Sequence, residues 1–182
     1  MRTLIKTLAL AAFLVAHVGH AAELDAAAQA KVDAKIKEIQ GWASADAVVG
    51  AVKNANAAKS PEVAAMTQDK WKALTVLDPF VRSLAKNPAA EFLKTKKGDA
   101  VAEAFVSAAD GSKVAFLSKP SSWSHKGKPK HDTPMSGKNW QGAVEIDEST
   151  GLQQVQVAVP VMDGGSAIGS LVVGLSIGAL TR

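Results

Sequence analysis

Residues 152–177 read LQQVQVAVPVMDGGSAIGSLVVGLSI, and this stretch decides the fold. Val155, Val157, Val159 and Val161 alternate with Gln154, Gln156 and Ala158, the period of a strand with one buried face. Asp163-Gly164-Gly165 is a turn signal, since glycines accept the positive φ that tight hairpins require. Ala167 to Ile177 (AIGSLVVGLSI) is apolar almost throughout and reads as a central strand. A central antiparallel hairpin is therefore predicted near the C-terminal end of the chain.

Working back from that hairpin, Gln141 to Asp147 (QGAVEID) reads as a strand ending at the turn Glu148-Ser149-Thr150-Gly151. Val101 to Ala109 (VAEAFVSAA), Asp110-Gly111 and Lys113 to Leu117 (KVAFL) read as strand, hairpin turn and strand. Residues 23 to about 98 follow a helical period instead. Val32, Ile36, Ile39, Ala43, Val49 and Val52 form one apolar stripe on a long amphipathic helix, with Gly41 a weak point in its middle. Ser60-Pro61 and Asn87-Pro88 are helix starts, each a capping side chain followed by proline. Trp71, Leu74 and Leu77 continue a helical face as far as Asp78-Pro79. Gly98 closes the last helix after Lys96-Lys97. The default place for Trp42 and Trp71 is in packing. Helices first and five strands after them predict an α+β domain with helices packed on an antiparallel sheet.

Between the second and third strands lies Lys119–Trp140, KPSSWSHKGKPKHDTPMSGKNW. Hairpin connections usually need about 2–5 residues, so a connection of this length points to function. It holds five lysines (119, 126, 128, 130, 138), His125, His131, Trp123 and Trp140, with Asp132 the one acid. Lysine neutralises a buried anion, neutral histidine donates to it, and tryptophan supplies an apolar wall with an N–H.

The ends and composition bound the class. Arg2 and Lys6, the apolar run Thr7–Ala16 and the small residues Gly19 and Ala21 make residues 1–21 a secretory signal peptide. The run is shorter than the roughly 20 residues of a spanning helix. Cleavage after Ala21 leaves residues 22–182 as a single domain, periplasmic or secreted. The chain's net charge of +4 falls to +2 without Arg2 and Lys6, and its basic residues are locally clustered. No nucleic-acid partner is expected. The absence of cysteine excludes disulfides, thiolate catalysis and Cys-bound zinc.

The long first helix, the strand-DG-strand unit, the long insert and the closing Pro160-Val161, Asp163-Gly164, Ile168-Gly169 and Val173-Gly174-Leu175 resemble the Cache (PDC) family. These are PAS-like extracytoplasmic sensor domains of bacterial chemoreceptors and sensor kinases. The resemblance covers about residues 24–180. It implies a five-stranded PAS-like sheet whose distal face carries a small-molecule pocket lidded by the insert. It implies a ligand such as a small carboxylate, amino acid or other metabolite. By position in the family pattern, Trp123, His125, Lys130, His131, Lys138 and Trp140 are the ligand-binding candidates. Lys126 and Lys128, flanking Gly127, read better as a solvated surface. The chain ends at Leu180-Thr181-Arg182 with no output domain, so a free-standing domain is expected. It would pass its signal to a partner such as a membrane sensor or transporter. The first helix could pair with a copy of itself, as in membrane-bound relatives, giving a homodimer.

Other classes find less in the residues. His125 and His131 are six apart beside Asp132, a spacing that fits no standard zinc motif, and the neighbouring lysines repel cations. No metal or cofactor is expected. Ser121, Ser122 and Ser124 lie near His125 without a nucleophile elbow, and no enzyme is expected. Asp110 and Asp163 read as hairpin residues, and Glu145, Asp147 and Glu148 as a strand end and its turn. A metal-binding or hydrolytic protein on the same scaffold and a basic loop that docks on an acidic surface are the alternatives. Docking of that kind weakens steeply with salt.

Overall fold

A computed structural model of the protein describes residues 24–146 and 153–182. The signal-peptide reading of residues 1–21 and the turn at 148–151 lie outside the described residues. The elements run α1 (Ala26–Ala43), α2 (Asp46–Ala57), α3 (Pro61–Ala64), α4 (Gln68–Ala73), α5 (Pro79–Leu84) and α6 (Pro88–Thr95). Then come β1 (Val101–Ala108), β2 (Lys113–Phe116), α7 (Pro129–Met135), β3 (Trp140–Ile146), β4 (Gln153–Asp163), β5 (Ser166–Ser176) and α8 (Ile177–Leu180). The five strands form one antiparallel sheet in the order β2-β1-β5-β4-β3. This is the α+β class expected from the order of helices and strands.

The predicted helix stripe covers one face of that sheet. Val32, Ile39, Ala43 and Val52 are buried against Val155, Val157, Val159 and Val161 of β4 and Leu171, Val173 and Leu175 of β5. Ile36 and Val49 pack at the edge of this cluster. Each fully buried valine is worth roughly 1.5–3 kcal/mol relative to exposure, so period-2 and period-3.6 patterns meet as one core. The apolar stripe of α1 is thus covered by the chain's own sheet. Trp42 belongs to this core and Trp71 to a second one on the opposite face.

Three local readings differ. The long helix is broken, and the break falls at Ser44-Ala45 rather than at Gly41. Ser44 Oγ donates to Gln40 O at 2.8 Å and ends α1, while Ala45 is extended. A hydroxyl that bonds back to the preceding turn competes with helix continuation. Asp78-Pro79 begins a helix rather than ending one. Asp78 accepts from the N–H groups of Phe80 and Val81 and caps α5, with proline in its first turn. In consequence α4 stops at Ala73, Leu74 turns partly inward, and Leu77 is 74% exposed. Finally, the insert is not loop throughout, because Pro129–Met135 forms α7.

The second cluster lies on the distal face of the sheet. Trp71, Val81, Phe105, Phe116, Trp123, Ala158 and Val172 are buried there, with Trp140 packed at its margin. Gly164 and Gly165 turn β4 into β5 at φ +55° and +88°, as the sequence predicts.

Candidate functional site

The insert is fastened to the β1–β2 turn before it crosses the distal face. His125 N–H donates to Gly111 O at 3.0 Å, Ser124 Oγ donates to Asp110 O at 3.1 Å, and Ser112 pairs with Ser124 as a bridge. Gly111 has φ +80°, and a Cβ there would lie 2.4 Å from Lys126 N. Glycine is required at this contact by both conformation and space. Asp110 is drawn to Lys59 and to Ser112. Burial pushes its carboxyl up, but those bonds prevail and hold it at about 2.

Five of the six sequence-predicted residues come to the distal face. Trp123 is buried, its ring 5.2 Å from Trp71 and 5.8 Å from Phe80, and its backbone N–H donates to Gln68 at 2.9 Å. It acts as a wall of the aromatic cluster. His125 is buried and stacks on Phe105 at 4.9 Å. His131, 1% exposed, places Nδ1 2.8 Å from Ser170 Oγ and Nε2 3.3 Å from Ala109 O. A carbonyl only accepts, so Nε2 carries the proton and Nδ1 accepts from the hydroxyl. Lys130 is half-buried and donates to Gln156 Oε1 at 2.5 Å, and Gln156 in turn donates to Glu103. Trp140 is half-buried over Gly142, where a Cβ would come within 2.8 Å of the ring. The sixth residue, Lys138, is exposed and joins none of these contacts, as is also true of Lys126 and Lys128 at the rim.

The residue that sequence reasoning missed is Lys113, at the start of β2. Its Nζ lies 2.7 Å from His125 Nδ1 and 3.4 Å from both Ser107 Oγ and Gly111 O. It sits 4.9 Å from the centre of the Phe105 ring. Ser107 and Ser170 face each other across β1 and β5 and are fully buried. No side chain in KVAF marks this lysine as inward-facing, because its cover comes from outside the strand, from His125 of the insert 12 residues further on.

Burial is the main electrostatic force on the cluster. It pushes the Lys113 amine down to about 7, helped by Lys130 and opposed by Asp110. It pushes His125 down to about 3, with further repulsion from Lys113, Lys130, His131 and Lys128. His131 is also lowered by burial, against the pull of the Ala109 carbonyl and Asp132. Both imidazoles are therefore neutral at pH 7, and His125 Nδ1 is an acceptor for the lysine. Among the described residues, no group of three His, Cys, Asp or Glu side chains could hold a metal ion.

Outside the cluster, a cleft of about 520 Å³ runs along the insert. It is lined by Gln68, Lys72, Trp123, Ser124 and Lys128 among others, with no acid.

No family profile matches the chain, and no curated protein is similar to it. Solved structures are similar in the arrangement of helices and strands. One is the ligand-binding domain of the Pseudomonas aeruginosa amino acid chemoreceptor PctC in complex with GABA. It is 15% identical, with a TM-score of 0.48 over 85% of this chain and 58% of that one. Another is the Vibrio cholerae histidine kinase DctB sensor domain, at 16% identity and TM-score 0.38, covering 82% of this chain and 59% of that one. A third is the sensory domain of the Campylobacter jejuni chemoreceptor Tlp3 with isoleucine bound, at 12%, 0.43, 84% and 56%. The chain thus spans less than two thirds of each.

Proposed function

We propose that the chain is an extracytoplasmic ligand-binding domain of sensor type that recognises a small anion beneath its insert. The liganded form would be read by a partner protein such as a membrane sensor or transporter. The observation that carries this reading is the cluster of two lysines and two neutral histidines on the distal face. Lys113, Lys130, His125 and His131 converge there, mostly buried, and no carboxylate contacts any of their side-chain nitrogens among the described residues. A buried lysine ammonium without a counter-ion is costly and a neutral imidazole can donate a hydrogen bond, so an anion relieves that cost and finds donors. Trp123 and Trp140 are assigned to the apolar wall of the site, and Lys138 to its approach. Residues 1–21 support export. No helix among the described residues is long and apolar enough to cross a membrane.

A thermal-shift screen of the purified protein against carboxylates, amino acids and divalent metals tests the reading. A ligand at 100 times its Kd stabilises by about 2.7 kcal/mol, a rise of roughly 5–10 °C for a domain of this size. The expected result is such a rise with one class of small anion, lost when Lys130 and His131 are replaced by Ala. A null screen, with salt-sensitive binding to an acidic macromolecule instead, would replace the sensor reading by the docking one.

A further inference from the structure

A cavity of about 450 Å³ opens at the β2 edge of the sheet, walled by α2, α3, α5, the start of α6 and the first residues of β2. None of its lining residues belongs to the insert. Lys113 borders it, but the Lys113 ammonium is held against His125 and the Phe105 ring, neither of which lines the cavity. Protein interiors are close-packed, with few voids larger than a water molecule, so a space of this size calls for an occupant. Its floor is a face of α2, where Gly50, Ala51 and Ala55 are too short to close the gap to Val63 of α3 and Leu84 of α5. Glycine in a helix interior weakens the helix, and packing does not demand it at position 50. A Cβ there would meet nothing within 4 Å.

The polar groups on the walls decide what fits. Lys59 is paired with Asp110, so their charges cancel at that end. Ser112 also donates to Asp110, and Asn87 donates to Val114 O at 2.7 Å and accepts from Ala90 N–H at 3.0 Å. The one carboxylate on the lining, Asp46, is exposed at the start of α2 and disfavours an anion. The Asn54 side chain has no partner among the described residues. Its amide offers two donors and an acceptor, which suit an uncharged polar group.

We propose that this cavity is a second binding site, for a neutral amphiphile whose aliphatic chain lies along the α2 floor and whose amide or hydroxyl head bonds Asn54. Pockets of about 300–1,000 Å³ with mostly apolar walls and a few polar groups are the usual form of a small-molecule site. The site is separate from the one under the insert and does not depend on the sensor reading.

Thermal shift and amide NMR of the full chain test this with octanamide and 1-octanol as probes, against octanoate and octylamine. Octanamide at ten times its Kd should raise the melting temperature by about 3–6 °C. Amide signals should move at Ala51, Asn54 and Ala55 and stay in place at His125 and His131. Gly50→Leu puts an apolar side chain into the open space. Without ligand it should melt about 3–6 °C above the wild type, and it should lose the octanamide response. Gly41→Leu makes the same exchange at an exposed position of α1 outside the cavity lining and should keep that response. Asn54→Ala should weaken octanamide by about tenfold. The NMR map uses the wild-type chain, so it locates the probe whether or not a variant folds. Tighter binding of octanoate or octylamine, signals that move on the distal face instead, or a response that survives Gly50→Leu overturns the proposal. So does silence toward both neutral probes.

Discussion

Replacing Lys113 with Met should stabilise the ligand-free protein at pH 6 and do little at pH 10. The amine titrates at an ordinary 10.5 when the chain is unfolded and at about 7 in the fold. Between those values the unfolded chain holds more protons, so stability rises with pH across this window. The full cost is present below about pH 7. At about 1.4 kcal/mol per pH unit it has a ceiling of about 5 kcal/mol. Methionine keeps an unbranched apolar stem over Phe105 and removes the charge. It loses the 2.7 Å contact to His125 and the cation over the ring, together worth about 2 kcal/mol. The remaining gain is about 1–3 kcal/mol at pH 6. At pH 10 the wild-type cost has shrunk to about 1 kcal/mol and the gain disappears. Urea unfolding of both proteins at the two pH values reads the difference directly. A variant that is less stable at pH 6, or whose advantage is equal at both pH values, would refute the claim that this lysine is buried at a cost.

Two further outcomes follow from the same cluster. His125 stays neutral in the fold down to about pH 3, whereas an unfolded histidine charges below 6.5. Stability should therefore fall by up to about 1.4 kcal/mol per pH unit between pH 6 and 4, and His125→Gln should flatten that slope in urea titrations. An unaltered slope would show that other groups drive acid unfolding. Gly111→Ala forces a Cβ against Lys126 N in a left-handed conformation. It should cost about 2 kcal/mol or more and speed hydrogen exchange at the His125 amide, which now bonds Gly111 O.

The sheet was legible because its signals are local. Alternating valines, the two Asp-Gly turns and the proline-led helix starts each act within a few residues, and strand boundaries agree to within about two residues. The helix break at Ser44 was hidden because a serine bonding back to Gln40 looks in sequence like any exposed serine. Asp78-Pro79 was ambiguous on its face, since a capping aspartate with proline stops one helix and starts the next. α7 was masked by Pro129, Pro134 and the charges around them, which suit a loop as well as a short helix. At the site, the insert's composition pointed to His125, Lys130 and His131. Lys113, Ser107 and Ser170 could not be found that way. They lie on strands, and only the return of the insert over the sheet buries them.

Of the five strands in the sheet, the latest in sequence order is the one that holds it together. β5 ends at Ser176, yet it lies in the middle of the order β2-β1-β5-β4-β3 and pairs with both β1 and β4. A chain emerging from its N-terminus can form the β1–β2 hairpin early, but α1 and α2 have no completed face to pack on until β5 is free to pair. Closure over so long a sequence separation is slow, so the sheet cannot close until β5 has been made. A chain cut before residue 166 would lose the centre of its sheet rather than an edge. What remained would be two strand pairs with no partner to join them.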